Sequence, residues 1–477
     1  MQSSARSSSM PNPTPLLFLL AAVIVWFGFL YEGKDSIGLP IVIILISLVI
    51  IPICIYYLAV RPLVATVVLF AAAVMPRYFV EIGGMKARPE HIICGVLIFL
   101  LPYWFRRRNH QFMWMFADYL LLTYIALHFF SSLVLSIAPG QTIKWCLQQT
   151  IVIFPYLFVR FLVPDRTSFG RAVRVLAWIG AVEGLFGVLC FYSNFFWGTE
   201  VGMEIGQYGD TPGTYGTQFE ANLLGSYCGA ALVIFLTLYL RQRKRAFLYG
   251  FGLAAAGMAI SLSRGALLAT LIAMSVVCFR GIRLRLFNTK ILASLALVIL
   301  AVAVVAAPAV FGLWSERFST IEVGDVTADD DERIRVLTIG LALSGASDHL
   351  FFGNGTASYQ LQFTGADLGF GDDVEGGWIG NTEVRVLYDT GIIGLGVFLW
   401  FLGVLTVGVV RHLKRERFVE LEALTIAGLV YCVSFQFTEG TLLAFSWVHL
   451  GLIAAGLSVI QVNRKQKHLH VTTEVRL

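Results

Sequence analysis

Long apolar runs, separated by short polar stretches, follow one another along almost the whole chain. A bilayer-spanning helix needs about 20 mostly apolar residues. On that measure, spans are predicted near 16–31, 38–59, 62–76, 90–105, 113–136, 143–160, 172–193, 216–240, 246–262, 264–279, 289–313, 385–410, 419–438 and 441–461. The expected count is fourteen, or twelve if the short pairs around Arg61 and Arg264 are each one span. The pattern breaks at one place. From Glu316 to Asp389 the chain is polar and holds 14 of its 30 acidic residues. Backbone this polar cannot face hydrocarbon, where an unsatisfied group costs several kcal/mol. The stretch is therefore expected to stand at a membrane face.

The expected fold class is an all-α integral membrane protein, a polytopic helical bundle with one large external loop subdomain. The expected division is a disordered N-terminus (1–15), a first bundle part (16–313), the loop subdomain (314–384), a second bundle part (385–461) and a tail (462–477). Composition agrees with this class. Hydrophobic residues make up 57% of the chain and charged residues 14%, against about a quarter charged in soluble domains. The first apolar run has no small-residue cleavage site after it, so it reads as a retained helix.

The net charge of +5 hides a segregation. Arg106–Arg108, Arg160 to Arg174, the R-Q-R-K-R run at 241–245, Arg280 to Arg285, the basic run at 411–417 and the tail fall on one side of the alternating spans. The stretches between them are neutral or acidic. By the positive-inside rule both termini are cytoplasmic and the acidic loop is external. The basic residues are scattered over short loops, so no nucleic-acid partner is indicated. All seven cysteines lie in apolar runs and read as buried hydrophobes. No metal-ligand spacing, P-loop or dinucleotide fingerprint is present, and no cofactor is expected.

Candidate chemistry gathers at the external side. Arg264, in S-L-S-R-G-A, sits alone between two apolar runs, where an arginine either snorkels or meets an anion. Arg333 and Arg335 lie on a short helix expected over 332–343, behind a run of acids. Arginines reaching one cavity suit a pyrophosphate, which guanidinium groups bind in bidentate fashion. Glu220 and Asn222 open the span at 216–240 on the same side. Glu183 and His128 lie within spans and read equally as functional or as hydrogen-bonded between helices. Tyr208, Tyr215, Tyr359 and Trp378 are loop aromatics able to stack on sugar rings.

Five stretches resemble the O-antigen ligase and polymerase family of bacterial envelope proteins. They are G-T-Q-F-E-A-N-L-L-G-S-Y (216–227), S-L-S-R-G-A (261–266), D-E-R-I-R (331–335), H-L-F-F-G-N-G (349–355) and N-T-E-V-R-V-L-Y-D-T-G-I-I-G-L (381–395). The resemblance covers roughly the second half of the chain, and the order and spacing of the motifs carry it. It implies a GT-C-like, metal-independent glycosyltransferase of the bacterial inner membrane. Its substrate would be a polyprenyl-pyrophosphate-linked oligosaccharide used on the external face among membrane lipids, and it admits a chain-length regulator as a partner. By position, Arg264 and Arg333 match the arginines that hold the pyrophosphate. Ligases of the family carry a histidine directly before Asn381, and here that position is Gly380. Glu383 and His349 are then the nearest candidates for general base. The departure favours a polymerase over a ligase that transfers to lipid A-core. The rival classes are a transporter or flippase, although no half-repeat is visible, and a non-catalytic assembly subunit.

Overall fold

The computed structural model describes residues 55–82, 85–108, 112–204, 213–319, 330–363, 378–413 and 418–474. The run expected at 16–31, residues 38–54 of the run expected at 38–59, and Tyr208 lie outside them. The chain divides into a unit ending at Leu58 and one spanning Ala59–Leu477. The second is described below.

Among the described residues the unit is helical. In chain order it has α1 (Pro62–Ala73), α2 (Pro89–Arg108), α3 (Phe116–Val134), α4 (Pro139–Leu162), α5 (Arg166–Trp197), α6 (Ala221–Gln242) and α7 (Arg245–Ile260). Then come α8 (Arg264–Arg283), α9 (Thr289–Ser319), α10 (Asp330–Ala346), a single turn α11 (Tyr359–Gln362), α12 (Thr382–Leu413), α13 (Val419–Ser434) and α14 (Ala444–Glu474). Two short antiparallel hairpins interrupt them: β1 (Val80–Ile82) with β2 (Met85–Ala87), and β3 (Met203–Glu204) with β4 (Gly213–Thr214). Each of the twelve apolar runs from 62 onward falls on a helix. Seven of these helices are long and apolar enough to cross a bilayer. The protein is an all-α polytopic membrane protein.

Helix α6 is the axis of the bundle, packed by α5, α7, α8 and α13. Every residue from Leu223 to Leu240 is buried, as expected of a helix apolar all round. Small residues set the close approaches. A Cβ on Gly229 would overlap the Thr270 side chain of α8, and one on Gly257 of α7 would overlap Gly184 of α5. Small faces let helices approach where lipid supplies no hydrophobic drive. At the end formed by the α6 C-terminus, Arg241 and Arg280 both grip Glu422 at 2.7 Å, tying α6, α8 and α13 together.

Three departures from the hydropathy reading shape the candidate site, and all three are at the other end of the bundle. Residues 216–220 belong to a loop that dips beside α1 and α5 before α6 starts. The stretch between α13 and α14 is non-helical over 435–443. Helix α12 is broken at Gly391, whose φ of 68° and ψ of −173° are open only to glycine. An uninterrupted apolar run hides such a break, because hydropathy does not register φ.

Candidate functional site at the α6 N-terminal end

The dipping loop fixes the first wall. Gly216 takes φ 59°, and the next residue, Thr217, donates its backbone N–H to Glu183 Oε1 at 2.8 Å. The Thr217 hydroxyl and the Gln218 amide both donate to the carbonyl of Val74, at 2.5 and 2.7 Å. Buried Glu183 is thereby accounted for: it pins this loop. The loop delivers Glu220 to the position just before α6 and Asn222 to its first turn. His128 likewise has a structural partner, Thr356 Oγ1 at 2.8 Å.

The S-L-S-R-G-A turn lies alongside. Buried Leu262 is held at φ 54°, a left-handed conformation rare for a bulky residue, by packing on Cys190, Phe191, Met203 and Ile260. The turn places Ser263 to cap α8, its hydroxyl accepting from Ala266 N–H at 3.1 Å and donating to Asn222 Oδ1 at 2.6 Å. Arg264 is the first residue of α8 and is half-buried.

Both walls meet the 435–441 segment, F-Q-F-T-E-G-T. The Thr438 hydroxyl donates to Glu220 Oε2 at 3.0 Å, and Gly265 faces the Phe437 ring. From α10, Arg335 donates to the Phe437 carbonyl at 3.1 Å. From α12, Asn381 caps Val384 N–H at 2.9 Å through Oδ1 and donates through Nδ2 to the Gln436 carbonyl at 3.2 Å. The Gln436 amide donates to Glu383 Oε1 at 2.8 Å, and Thr382 N–H donates to the Phe435 carbonyl at 3.1 Å. Glu220, Arg335, Asn381 and Glu383 therefore border one non-helical segment, with Asn222 joined to the α8 cap through Ser263 and Arg264 next in chain to Gly265, which faces Phe437. The N-termini of α6, α8 and α12 also end there, and helix N-termini favour anions. Burial holds the Glu220 carboxyl above the usual carboxylate range, while the Thr438 hydrogen bond and the Arg335 charge pull it the other way.

Arg333 lies in the first turn of α10, and its side chain is outside the described residues. One candidate is not brought to this point. His349 is exposed in a turn whose neighbours bond to residues 388–393 of α12. Of the aromatics, Tyr359 is buried, and Tyr215 is buried beneath the Arg77 guanidinium, 3.7 Å from the ring centroid. Trp378 is 40% exposed and lies beside Arg385.

A buried ion cluster backs the segment, and sequence reasoning did not select it. Arg385 reaches Asp389 Oδ2 at 3.3 Å and Glu439 Oε1 at 3.4 Å, with all three side chains buried. Arg88 lies 3.7 Å from Glu90, donates to the Leu442 carbonyl at 3.3 Å and covers the Phe219 ring. The i,i+4 spacing of Arg385 and Asp389 was the one visible signal. Their partner Glu439 is distant in sequence, and no pattern announces it. Among the described residues no three His, Cys, Asp or Glu side chains are grouped to hold a metal ion.

No family model and no curated protein matches the chain.

Proposed function

We propose that the protein is a membrane glycosyltransferase that polymerises polyprenyl-pyrophosphate-linked oligosaccharide units. The observation that carries this reading is the meeting of Glu220, Arg335, Asn381 and Glu383 around residues 435–441, beside the α8 cap that holds Asn222 and starts at Arg264. Four of the resembled motifs supply those residues. The site end is read as facing the outside of the bacterial inner membrane, from the charge alternation of the loops.

In the reaction an acceptor sugar hydroxyl attacks the anomeric carbon of the lipid-linked sugar. The new C–O bond forms as the bond to the pyrophosphate oxygen breaks, inverting the anomeric centre, and the hydroxyl proton passes to a base. Charge develops on the departing pyrophosphate. Guanidinium groups and helix N-termini fixed beforehand at that position give the largest electrostatic benefit. Arg264 at the head of α8 and Arg335 above Phe437 are assigned that role. Glu383, held through one oxygen by Gln436, is the assigned base, a role worth about 10² to 10⁴ in rate. His349 is set aside because its turn is bonded to the far end of the 382–390 segment.

Gly380 has a steric counterpart to its place in the motif. A Cβ there meets nothing closer than Arg335 Cγ and the Phe437 carbonyl oxygen, both at 3.9 Å. A side chain would therefore start without a clash beside Arg335 and Phe437, so crowding at Cβ does not account for the missing histidine. This supports polymerase over ligase. Purified protein with a lipid-linked repeat unit tests the reading. Longer glycan on the same lipid supports polymerase, transfer to a separate acceptor makes the protein a ligase, and no transfer to either overturns the proposal.

A further inference from the structure

The loop between α10 and α11 has an apolar tip that the polar character of its surroundings conceals. Leu350 and Phe351 are 47% and 64% exposed, and Phe352 beside them is also exposed. In water, three adjacent large apolar side chains are unusual unless they mark an interaction surface. Their position in the bundle identifies what covers them.

The tip is bonded to the break in α12. Beyond Gly391 the N–H groups of Ile392 and Ile393 begin a new helix and have no carbonyl in the preceding turn. They donate instead to the carbonyls of Leu350 and Phe351, at 2.9 and 3.2 Å. In return, the N–H groups of Asn354 and Gly355 donate to the carbonyls of Tyr388 and Asp389, the orphan acceptors before the break, at 2.8 and 3.1 Å. Gly353 N–H closes the turn on the His349 carbonyl at 2.7 Å. The loop thus satisfies both sides of a helix break at the edge of a membrane span. Irregular backbone at membrane depth requires such satisfaction.

The side chains give the same depth. Ile392, 52% exposed, and Ile393 lie on the outer surface of α12, the surface that a helix long and apolar enough to cross a bilayer would turn to lipid. Ile392 to Leu413 extends for about 33 Å at about 1.5 Å per residue, close to the hydrocarbon thickness, so Ile392 stands near one boundary of the acyl region. The backbone hydrogen bonds set Leu350 and Phe351 directly beside these isoleucines. On the other flank, the Phe352 ring makes an edge contact with exposed Phe130 of α3, 5.1 Å between centroids. The apolar tip continues the lipid-facing band of two spans.

We infer that residues 350–352 insert into the acyl region of the leaflet on the side of the candidate site, as a shallow re-entrant tip. The surface partner is bilayer hydrocarbon. The inference rests on the membrane fold and not on the glycosyltransferase reading. It does bear on the site, because the same loop donates Ala357 N–H to Asp389, the partner of Arg385. The 382–390 segment is thereby held between the bilayer edge and residues 435–441.

The test uses full-length protein with its native cysteines replaced, in phosphatidylethanolamine–phosphatidylglycerol nanodiscs, with a nitroxide on Phe351→Cys and, separately, on Leu350→Cys. Power saturation compares collisions with oxygen, which concentrates in hydrocarbon, and with nickel ethylenediaminediacetate, which stays in water. A nitroxide at Val407→Cys, on the lipid-facing side of α12, is the hydrocarbon reference, and one at exposed Lys244→Cys is the aqueous reference. Insertion predicts that oxygen is favoured at 350 and 351, with the sign seen at 407. Preference for the nickel complex, as at 244, overturns the inference. Low access to both reagents also overturns it, since the tip would then be covered by protein.

Discussion

Replacing Gly391 with alanine isolates the feature that brings α12 to the site. The backbone there has φ 68° and ψ −173°, a region that L-residues occupy at about 1–3 kcal/mol of strain. The new Cβ would also overlap the carbonyl group of Phe351 and the amide of Phe352, which are backbone atoms unable to rotate away. Overpacking of this kind costs about 1–3 kcal/mol. Moving the loop aside to relieve it weakens the four cross-connections from Asn354, Gly355, Ile392 and Ile393, each worth about 1 kcal/mol. The expected loss is therefore at least about 3 kcal/mol. Gly396→Ala is the control, since its Cβ meets nothing within 4 Å and alanine is about 1 kcal/mol the better helix former. Reversible unfolding in mixed micelles should show Gly391→Ala strongly destabilised and Gly396→Ala unchanged or slightly stabilised. Equal stability of Gly391→Ala and the parent would refute the broken-helix geometry, and with it the placement of Asn381, Glu383 and Arg385.

The other expectations concern the site itself. Arg264→Lys keeps the charge but not the fork that grips a pyrophosphate. It should fold normally and lose on the order of a hundredfold in transfer rate, about 3 kcal/mol, whereas full activity would reduce Arg264 to an anchor. Gly380→His should change unfolding free energy by no more than about 0.5 kcal/mol, because the position is open; a large loss would show that the space is not there. Glu220 binds its proton more tightly folded than unfolded, so stability should fall as pH rises from about 4.3 through its raised pKa. The penalty persists above that pKa, and Glu220→Gln should flatten this part of the profile.

Much of the fold was legible because a membrane span is a statement about length and apolarity, and both are written locally. The twelve runs from 62 onward needed no partner to be seen. The site was legible only in pieces. Arg264 stood out by isolation, and Glu220 and Asn222 by opening a run. The segment that joins them did not, since 435–443 straddles the expected end of one span and start of the next. Glu183 shows the converse: its membrane burial invited a functional reading, and its contact with Thr217, 34 residues away, gives it a positioning task. Such pairings between distant residues leave no period in the sequence. The Gly391 break was hidden for a different reason, because glycine is common in spans and only the carbonyls of Leu350 and Phe351 reveal that this one is bent.

The central claim is that a polyprenyl-pyrophosphate glycan reacts at the end of the bundle where α6, α8 and α12 begin. A donor carrying a photoactivatable diazirine on its first isoprene unit, irradiated with the protein in nanodiscs and followed by peptide mapping, tests it most directly. Adducts are predicted within 216–222, 261–266 and 435–443, lost in competition with unmodified donor. Competable adducts confined to the opposite end, around Arg241, Arg280 and Glu422, would contradict the account, as would the absence of any competable adduct.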